Sequence, residues 1–148
     1  MKKLLGILVL LLCASTVWAA PVKLYPGAVQ DGSETGHFQA VKAKSSPALR
    51  AKMGQETFYV TPDKFEKVYA FYKKLYPETN LSLRKLNVPM HGGGVFSEAY
   101  FCLDGIRNLR RSKHWLKIQS PFISAAGSNG PHYRANAENL TVIVVVSK

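Results

Sequence analysis

The chain has 148 residues, with 20 Lys and Arg against 9 Asp and Glu, and its formal net charge is +11. This length fits one domain with a real hydrophobic core, and neither an internal repeat nor a low-complexity segment indicates a repeat protein. The positive surplus favours anionic partners such as lipid headgroups, lipopolysaccharide or wall polymer, with nucleic acid less favoured, although the same charge can serve solubility alone.

The N-terminal stretch has the three-part layout of a secretory signal peptide. Lys2 and Lys3 precede an apolar run, residues 4–12, and the small residues of "VWAAP" follow. The run is well short of the roughly 20 residues that span a bilayer, so we predict cleavage after Ala19 and not an uncleaved anchor. Residues 1–19 are then the signal peptide. Residues 20–148 form an exported domain, periplasmic or secreted, without a transmembrane span, and the loss of two lysines lowers its formal charge from +11 to +9.

Cysteine usage predicts a fold that is held by its core. Cleavage removes Cys13, so Cys102 stands alone and no intrachain disulfide can form, although export leads to an oxidising compartment. Leu12 precedes Cys13 where lipoprotein processing needs a small residue. Cys102 lies in "AYFCLD" and is predicted to be a small buried apolar residue, because nothing around it suggests a reactive thiol.

The sequence of the N-terminal half predicts loops, two strands and one short helix. "QDGSETGH" is typical of a polar loop, and "HFQAVKA" of a short strand. Ser46 as cap, Pro47 in the first turn and Gly54 as stop predict a short helix between them. "ETFYVT" then predicts a strand.

The strongest element is an amphipathic helix in "TPDKFEKVYAFYKKLYP". Thr61 or Asp63 can cap it, Pro62 suits its first turn, and Pro77 ends it. The apolar residues recur at helical spacing, which indicates a core-facing stripe with a solvated back more than a membrane-surface helix. They are Phe65, Val68, Phe71, Tyr72 and Leu75.

The second half is rich in strands, predicted in "NLSLRKL", "VFSEAYFCL", "HWLKIQ" and "LTVIVVV". The last is apolar on both faces and belongs inside a sheet that is covered on both sides. The predicted fold class is α+β, with one main amphipathic helix packed on a mostly antiparallel sheet of about 4–6 strands, plus the short helix.

Three segments together resemble small exported bacterial proteins of uncharacterised function. They are "YPGA" near the start, an aromatic strand that leads into "TPDKFEKVYAFYKKL", and "SKHWLKIQSPFI" before a valine-rich end. The resemblance covers most of the exported part and implies a bacterial periplasmic or secreted α+β domain. Its motifs are turn, helix and strand signatures, so it implies no functional residues.

No catalytic or metal spacing is visible in the sequence. "HGGG", residues 91–94, matches the oxyanion loop of lipases, but no G-x-S-x-G elbow accompanies it, so we interpret it as a turn before a strand. The four histidines do not pair at metal-ligand spacing, so no metal site and no cofactor is predicted. They are His37, His91, His114 and His132. A small hydrolase that gathers them in three dimensions stays open.

One acid-free basic stretch, "RNLRRSKHWLKIQSPF", is the candidate anion-binding site. If "KHWLKIQ" is a strand, Leu116 and Ile118 face the core while Trp115 lies between two lysines on the other face. The preceding arginines then complete a cationic patch with an aromatic platform. The candidate residues are Arg107, Arg110, Arg111, Lys113, Trp115 and Lys117. The alternative is that Trp115 packs under a loop and the arginines are only solvated.

Three classes of function remain after these observations. A non-enzymatic exported module that binds an anionic envelope component or a protein partner is preferred, mainly because catalytic spacings are missing from the sequence. A small hydrolase with clustered histidines, metal-dependent or metal-independent, is the second. A passive assembly subunit is the third, and it predicts an exposed apolar patch or an unpaired sheet edge.

Overall fold

The computed structural model describes residues 21–79, 83–91, 93–124, 132–133 and 137–148. The predicted signal peptide and the first part of "NLSLRKL" lie outside these residues, as does most of the connection before the last strand. Three helices are described: α1 (Gly32–Lys44), α2 (Pro47–Lys52) and α3 (Phe65–Leu75). A short 3-10 helix covers Ala137–Asn139.

Eight strands are described, and six of them form one antiparallel sheet in the order β1-β2-β8-β5-β4-β3. These six strands are β1 (Val29–Gln30), β2 (Gln55–Thr61), β3 (Lys85–Pro89), β4 (Val95–Cys102), β5 (His114–Ser120) and β8 (Thr141–Ser147). The short strands β6 (Ile123–Ser124) and β7 (His132–Tyr133) pair separately. The predicted α+β class is therefore confirmed, and "LTVIVVV" is a central strand as its apolar pattern predicts.

Helix α3 covers one face of the sheet. Val68 and Tyr72 of the helix are fully buried against Phe101 of β4, and Leu116 and Ile118 of β5 lie in the same cluster. The predicted stripe is therefore confirmed at its centre, while Leu75 at its end is 39% exposed. The predicted side-chain caps are wrong, because the N-cap is Lys64 and no side chain closes the first turn.

A second, smaller apolar cluster lies on the opposite face of the sheet. Phe58 of β2 and the inner valines of β8 pack there against Phe122. Phe38 of α1 and Trp115 of β5 border this cluster and are half-buried. Both faces of β8 are thus covered, which explains why its sequence carries no polar alternation.

Helix α1 replaces the loop and strand that were predicted for residues 30–43. Its N-cap is Asp31, which accepts a hydrogen bond from the Glu34 amide at 3.1 Å. Tertiary bonds then fix the helix on β2, because the Phe58 amide donates to Thr35 Oγ1 at 3.1 Å and the Asp31 amide donates to the Phe58 carbonyl. The prediction failed because α1 has no apolar stripe at helical spacing, whereas α2 with its Ser46 cap is confirmed.

Buried Tyr72 gives the fold a predicted sensitivity to alkaline pH. Burial raises the pKa of Tyr72 from 10.0 to about 12, while an unfolded tyrosine titrates near 10. The stabilising contribution is therefore complete below about pH 10 and is lost as pH rises to about 12. In that window we expect the free energy of unfolding to fall by up to about 1.4 kcal/mol per pH unit.

Urea unfolding of the wild type and of Tyr72→Phe between pH 9 and 12 measures this contribution. Tyr100, whose pKa burial also raises, remains in both proteins, so the difference in slope isolates Tyr72. Equal slopes in the two proteins would contradict the assignment.

Candidate functional site

The basic loop between β4 and β5 is organised around one carboxylate. Asp104 Oδ2 accepts from the Lys113 amide at 2.8 Å, and Asp104 Oδ1 accepts from the Ile106 amide at 3.2 Å. The hydroxyl of fully buried Ser112 lies 2.9 Å from Oδ1. Burial acts to raise the pKa of Asp104, but the hydrogen bonds outweigh it and hold that pKa below its usual value. The carboxylate therefore stays charged and ties both ends of the loop together.

Two further features shape the tip of this loop. Asn108 Oδ1 accepts from the Arg110 amide at 3.0 Å, and the Asn108 carbonyl accepts from the amides of Arg111 and Ser112. Gly105 has a φ of 75°, a left-handed conformation that favours glycine. The backbone that carries the arginines is thus held by hydrogen bonds from within the loop.

The loop and the end of α3 line an open cleft of about 1040 Å³, which we call the arginine cleft. Its cationic side chains are exposed, and within the described residues none of them forms an ion pair. They are Lys73, Arg107, Arg110 and Arg111. Apolar side chains line the same cleft, so it offers both charge and apolar surface. They are Tyr76, Pro77, Leu83, Ile106 and Leu109.

A single carboxylate, Glu78, appears among the residues that line the arginine cleft; its Oε2 is already partnered, while its Oε1 is buried without a hydrogen-bond partner among the described residues. Glu78 Oε2 lies 3.4 Å from the Arg84 guanidinium and accepts from the Tyr69 hydroxyl at 2.9 Å. The Glu78 side chain is only 12% exposed, so its charge is largely withdrawn from the cleft surface and compensated. The four cationic groups therefore dominate the field in the cleft.

The predicted patch is divided between the two sides of the sheet. Trp115 and Lys117 lie on the face opposite α3, as strand alternation predicts, and neither lines the arginine cleft. Trp115 packs beside Tyr100, with ring centroids 6.0 Å apart, and its indole N–H is buried without a hydrogen-bond partner among the described residues. Trp115 is therefore part of the packing on that face and does not form an aromatic platform for the arginines.

Lys117 belongs to a polar cluster on the same face as Trp115. Burial lowers the pKa of Lys117, and the nearby carboxylates of Glu98 and Glu56 partly oppose this effect. Glu98 itself pairs with Lys85 at 3.0 Å and accepts from the Tyr100 hydroxyl at 3.1 Å. The charge of Lys117 thus faces carboxylates of its own chain. Lys113 is exposed next to the arginine cleft but does not line it.

Among the described side chains, the other candidate residues do not converge on a reactive site. His37 lies on α1, His114 on β5, and His91 in the turn between β3 and β4. Their side chains form no hydrogen bond or ion pair with the described residues, and the side chain of the fourth candidate, His132, lies outside the described part. No group of three or more His, Cys, Asp or Glu among the described residues could hold a metal ion. Cys102 is fully buried, as predicted, and burial raises the pKa of its thiol.

The predicted turn in "HGGG" is a hairpin connection between β3 and β4. The Gly93 amide donates to the Met90 carbonyl at 3.1 Å, and the Met90 amide donates to the Gly94 carbonyl. Gly93 and Gly94 have positive φ angles of 100° and 79°. At least one glycine amide is therefore committed to the turn and is not free to hold an oxyanion.

Sequence reasoning missed the part of the cleft that α3 contributes. The sequence shows Lys73 and Tyr76 only as part of an amphipathic helix, because their position beside the arginines depends on the order of strands in the sheet. Within the residues that the structure describes, none of the helices is long and apolar enough to span a membrane.

No family model, curated protein or solved structure matches the chain.

Proposed function

We propose that the protein is an exported, non-enzymatic module that binds an anionic component of the bacterial envelope in the arginine cleft. One observation carries this proposal: four exposed cationic side chains surround one cleft, and the lone carboxylate among its lining residues already has partners. Such a field attracts anions and raises their association rate. The candidates are lipid headgroups, lipopolysaccharide and wall polymer, and the predicted signal peptide would deliver the protein to them.

The hydrogen bonds of the loop support the same function. A binding site gains affinity when its groups are ordered before the ligand arrives, because less conformational entropy is then lost on binding. Asp104 and Asn108 order the backbone from residue 106 to residue 113 without using any arginine side chain. The three guanidinium groups remain available for bidentate contacts with phosphate or carboxylate.

A double variant, Arg110→Gln with Arg111→Gln, tests the proposed function. The purified protein is titrated with lipopolysaccharide, wall polymer and anionic lipid vesicles at 0.05 M and at 0.5 M salt. Exposed ion pairs contribute up to about 1 kcal/mol each, so we expect the variant to bind about tenfold more weakly at low salt. The wild type is expected to weaken as salt rises, because screening shortens the reach of exposed charges.

The matched control is Lys44→Gln with Lys52→Gln, which removes the same net charge from exposed helix positions away from the cleft. We expect this control to bind nearly as the wild type does. If the two double variants weaken binding equally, the protein responds to net charge and the cleft is not the site. If none of the ligands binds the wild type, the proposed function fails.

A passive assembly subunit is the second candidate, and edge strand β3 favours it. Leu86 and Val88 are 43% and 41% exposed, so this edge shows apolar surface. The same edge is irregular, however: the register with β4 shifts, Asn87 has a φ of 53°, and Pro89 lacks an amide donor. Because these features disfavour the addition of another strand, we rank assembly below anion binding.

A further inference from the structure

Apolar side chains also line the arginine cleft, and charge alone does not explain them; we call Leu83, Ile106 and Leu109 its floor. Leu83 is 41% exposed and Ile106 is 40% exposed, while Leu109 beside them is half-buried. Tyr76 and Pro77 continue this surface at the end of α3. A purely polar anion gains no affinity from exposed aliphatic side chains, whereas clustered apolar surface commonly marks a binding site.

The cationic groups that line the same cleft come from two elements. Lys73 comes from the last turn of α3. Its ammonium group lies 5.5 Å from the centre of the Tyr69 ring. The arginines come from the loop between β4 and β5, which also carries Ile106 and Leu109. A ligand in this cleft meets positive charge and apolar surface at once, so charge complementarity requires an anionic group and apolar complementarity requires a hydrocarbon part.

The size of the cleft fits a ligand of this kind. Its volume of about 1040 Å³ lies just above the range of roughly 300–1,000 Å³ that ligand pockets span. A single phosphate would leave most of this space to water. A headgroup with one or two short chains would fill far more of it.

We propose that the ligand of the arginine cleft is a phosphorylated amphiphile. Its phosphate contacts Lys73 and the arginines, and its acyl chain lies on Leu83, Ile106 and Leu109. This inference rests on the proposed function and narrows it to one class of ligand. It also predicts a property that simple anion binding lacks, namely an affinity that depends on chain length.

Calorimetric titration with soluble probes below their micelle concentrations tests this inference. The probes are glycerol 3-phosphate, dihexanoyl and dioctanoyl phosphatidic acid, and dioctanoyl phosphatidylcholine. We expect dioctanoyl phosphatidic acid to bind most tightly, with a gain of about fourfold for each added methylene that the floor covers. Glycerol 3-phosphate shares the charge but not the chain, and the phosphatidylcholine shares the chain but has no net charge.

A variant of the floor is Leu83→Asn with Ile106→Asn, and its control is Leu49→Asn, which changes a leucine that is 51% exposed outside the cleft. The floor variant should lose the chain-length dependence and keep the weak binding of glycerol 3-phosphate. Both substituted floor residues are partly exposed, so thermal melts should show folded protein.

The possible outcomes separate the two proposals. Equal affinity for glycerol 3-phosphate and dioctanoyl phosphatidic acid, lost in Arg110→Gln with Arg111→Gln, overturns the amphiphile and leaves anion binding intact. Equal affinity for the phosphatidylcholine and the phosphatidic acid also overturns the amphiphile proposal, because the headgroup charge would then not affect binding. If neither these probes nor lipopolysaccharide and wall polymer bind, both proposals fall.

Discussion

Replacing Asp104 with Asn should weaken anion binding about thirtyfold, although the variant is more positive than the wild type. Hydrogen bonds to a charged group contribute about 1.5–3 kcal/mol each, and Asp104 accepts several from the ends of the arginine loop. The asparagine side chain places its NH2 donors against some of those N–H groups, which cannot accept a hydrogen bond. The loop then loses its order, and the arginines lose their common orientation towards the cleft.

Glu66→Gln is the matched control for this experiment. Glu66 is exposed in the first turn of α3, outside the arginine cleft, and its replacement also removes one negative charge. Both variants are titrated calorimetrically with dioctanoyl phosphatidic acid and with inorganic pyrophosphate. The comparison separates the effect of loop order on affinity from the effect of net charge. Hydrogen exchange at the amides of Ile106 and Lys113 reports whether the loop has opened. Tighter binding by Asp104→Asn, comparable with that of Glu66→Gln, would show that net charge and not loop order determines affinity.

Phe101→Ala should lower the free energy of unfolding by about 3–5 kcal/mol, which is a large part of the 5–15 kcal/mol that a domain usually has. Phe101 is fully buried on β4, and its ring centroid lies 5.9 Å from that of Tyr69 and 6.1 Å from that of Tyr72. Truncation leaves a cavity between the sheet and α3 that neighbouring aromatic rings cannot fill.

Urea unfolding at neutral pH measures this loss, with two comparison variants. Phe101→Leu keeps much of the side-chain volume and should cost clearly less. Leu49→Ala removes an exposed leucine on α2 and should change stability by no more than about 0.5 kcal/mol. If Phe101→Ala lowers the free energy of unfolding as little as Leu49→Ala does, Phe101 is not buried between the sheet and α3.

Much of the fold could be predicted because hydrophobic periodicity reports burial directly. The alternation in "HWLKIQ" correctly assigned Leu116 and Ile118 to the core face, and the unbroken apolar run in "LTVIVVV" correctly indicated a central strand. Helix α1 gave no such signal. Asp31 with Glu34 three residues later resembles a helix start, but two glycines and the absence of an apolar stripe concealed it.

The candidate site was predicted only in part, because a neighbour in sequence need not share a face of the sheet. Arg110 and Arg111 stand close to Trp115 in the chain, and this proximity suggested one patch. The structure places the arginines beside Lys73, 37 positions before Arg110, because α3 packs on the Leu116 face and its end reaches the loop. Alternation along one strand could not reveal that position, which depends on how the strands pair.

The position of β8 determines the order in which the sheet can be completed. Strand β8 lies between β2 and β5, so it joins the antiparallel β1-β2 pair to the β5-β4-β3 meander. The two parts have no strand pairing with each other until β8 enters, and Gln55 then pairs with Ser147 across most of the described chain. Contacts so distant in sequence close slowly, because much loop entropy is lost first. The pairing of one seven-residue strand is therefore expected to limit the rate at which the sheet is completed.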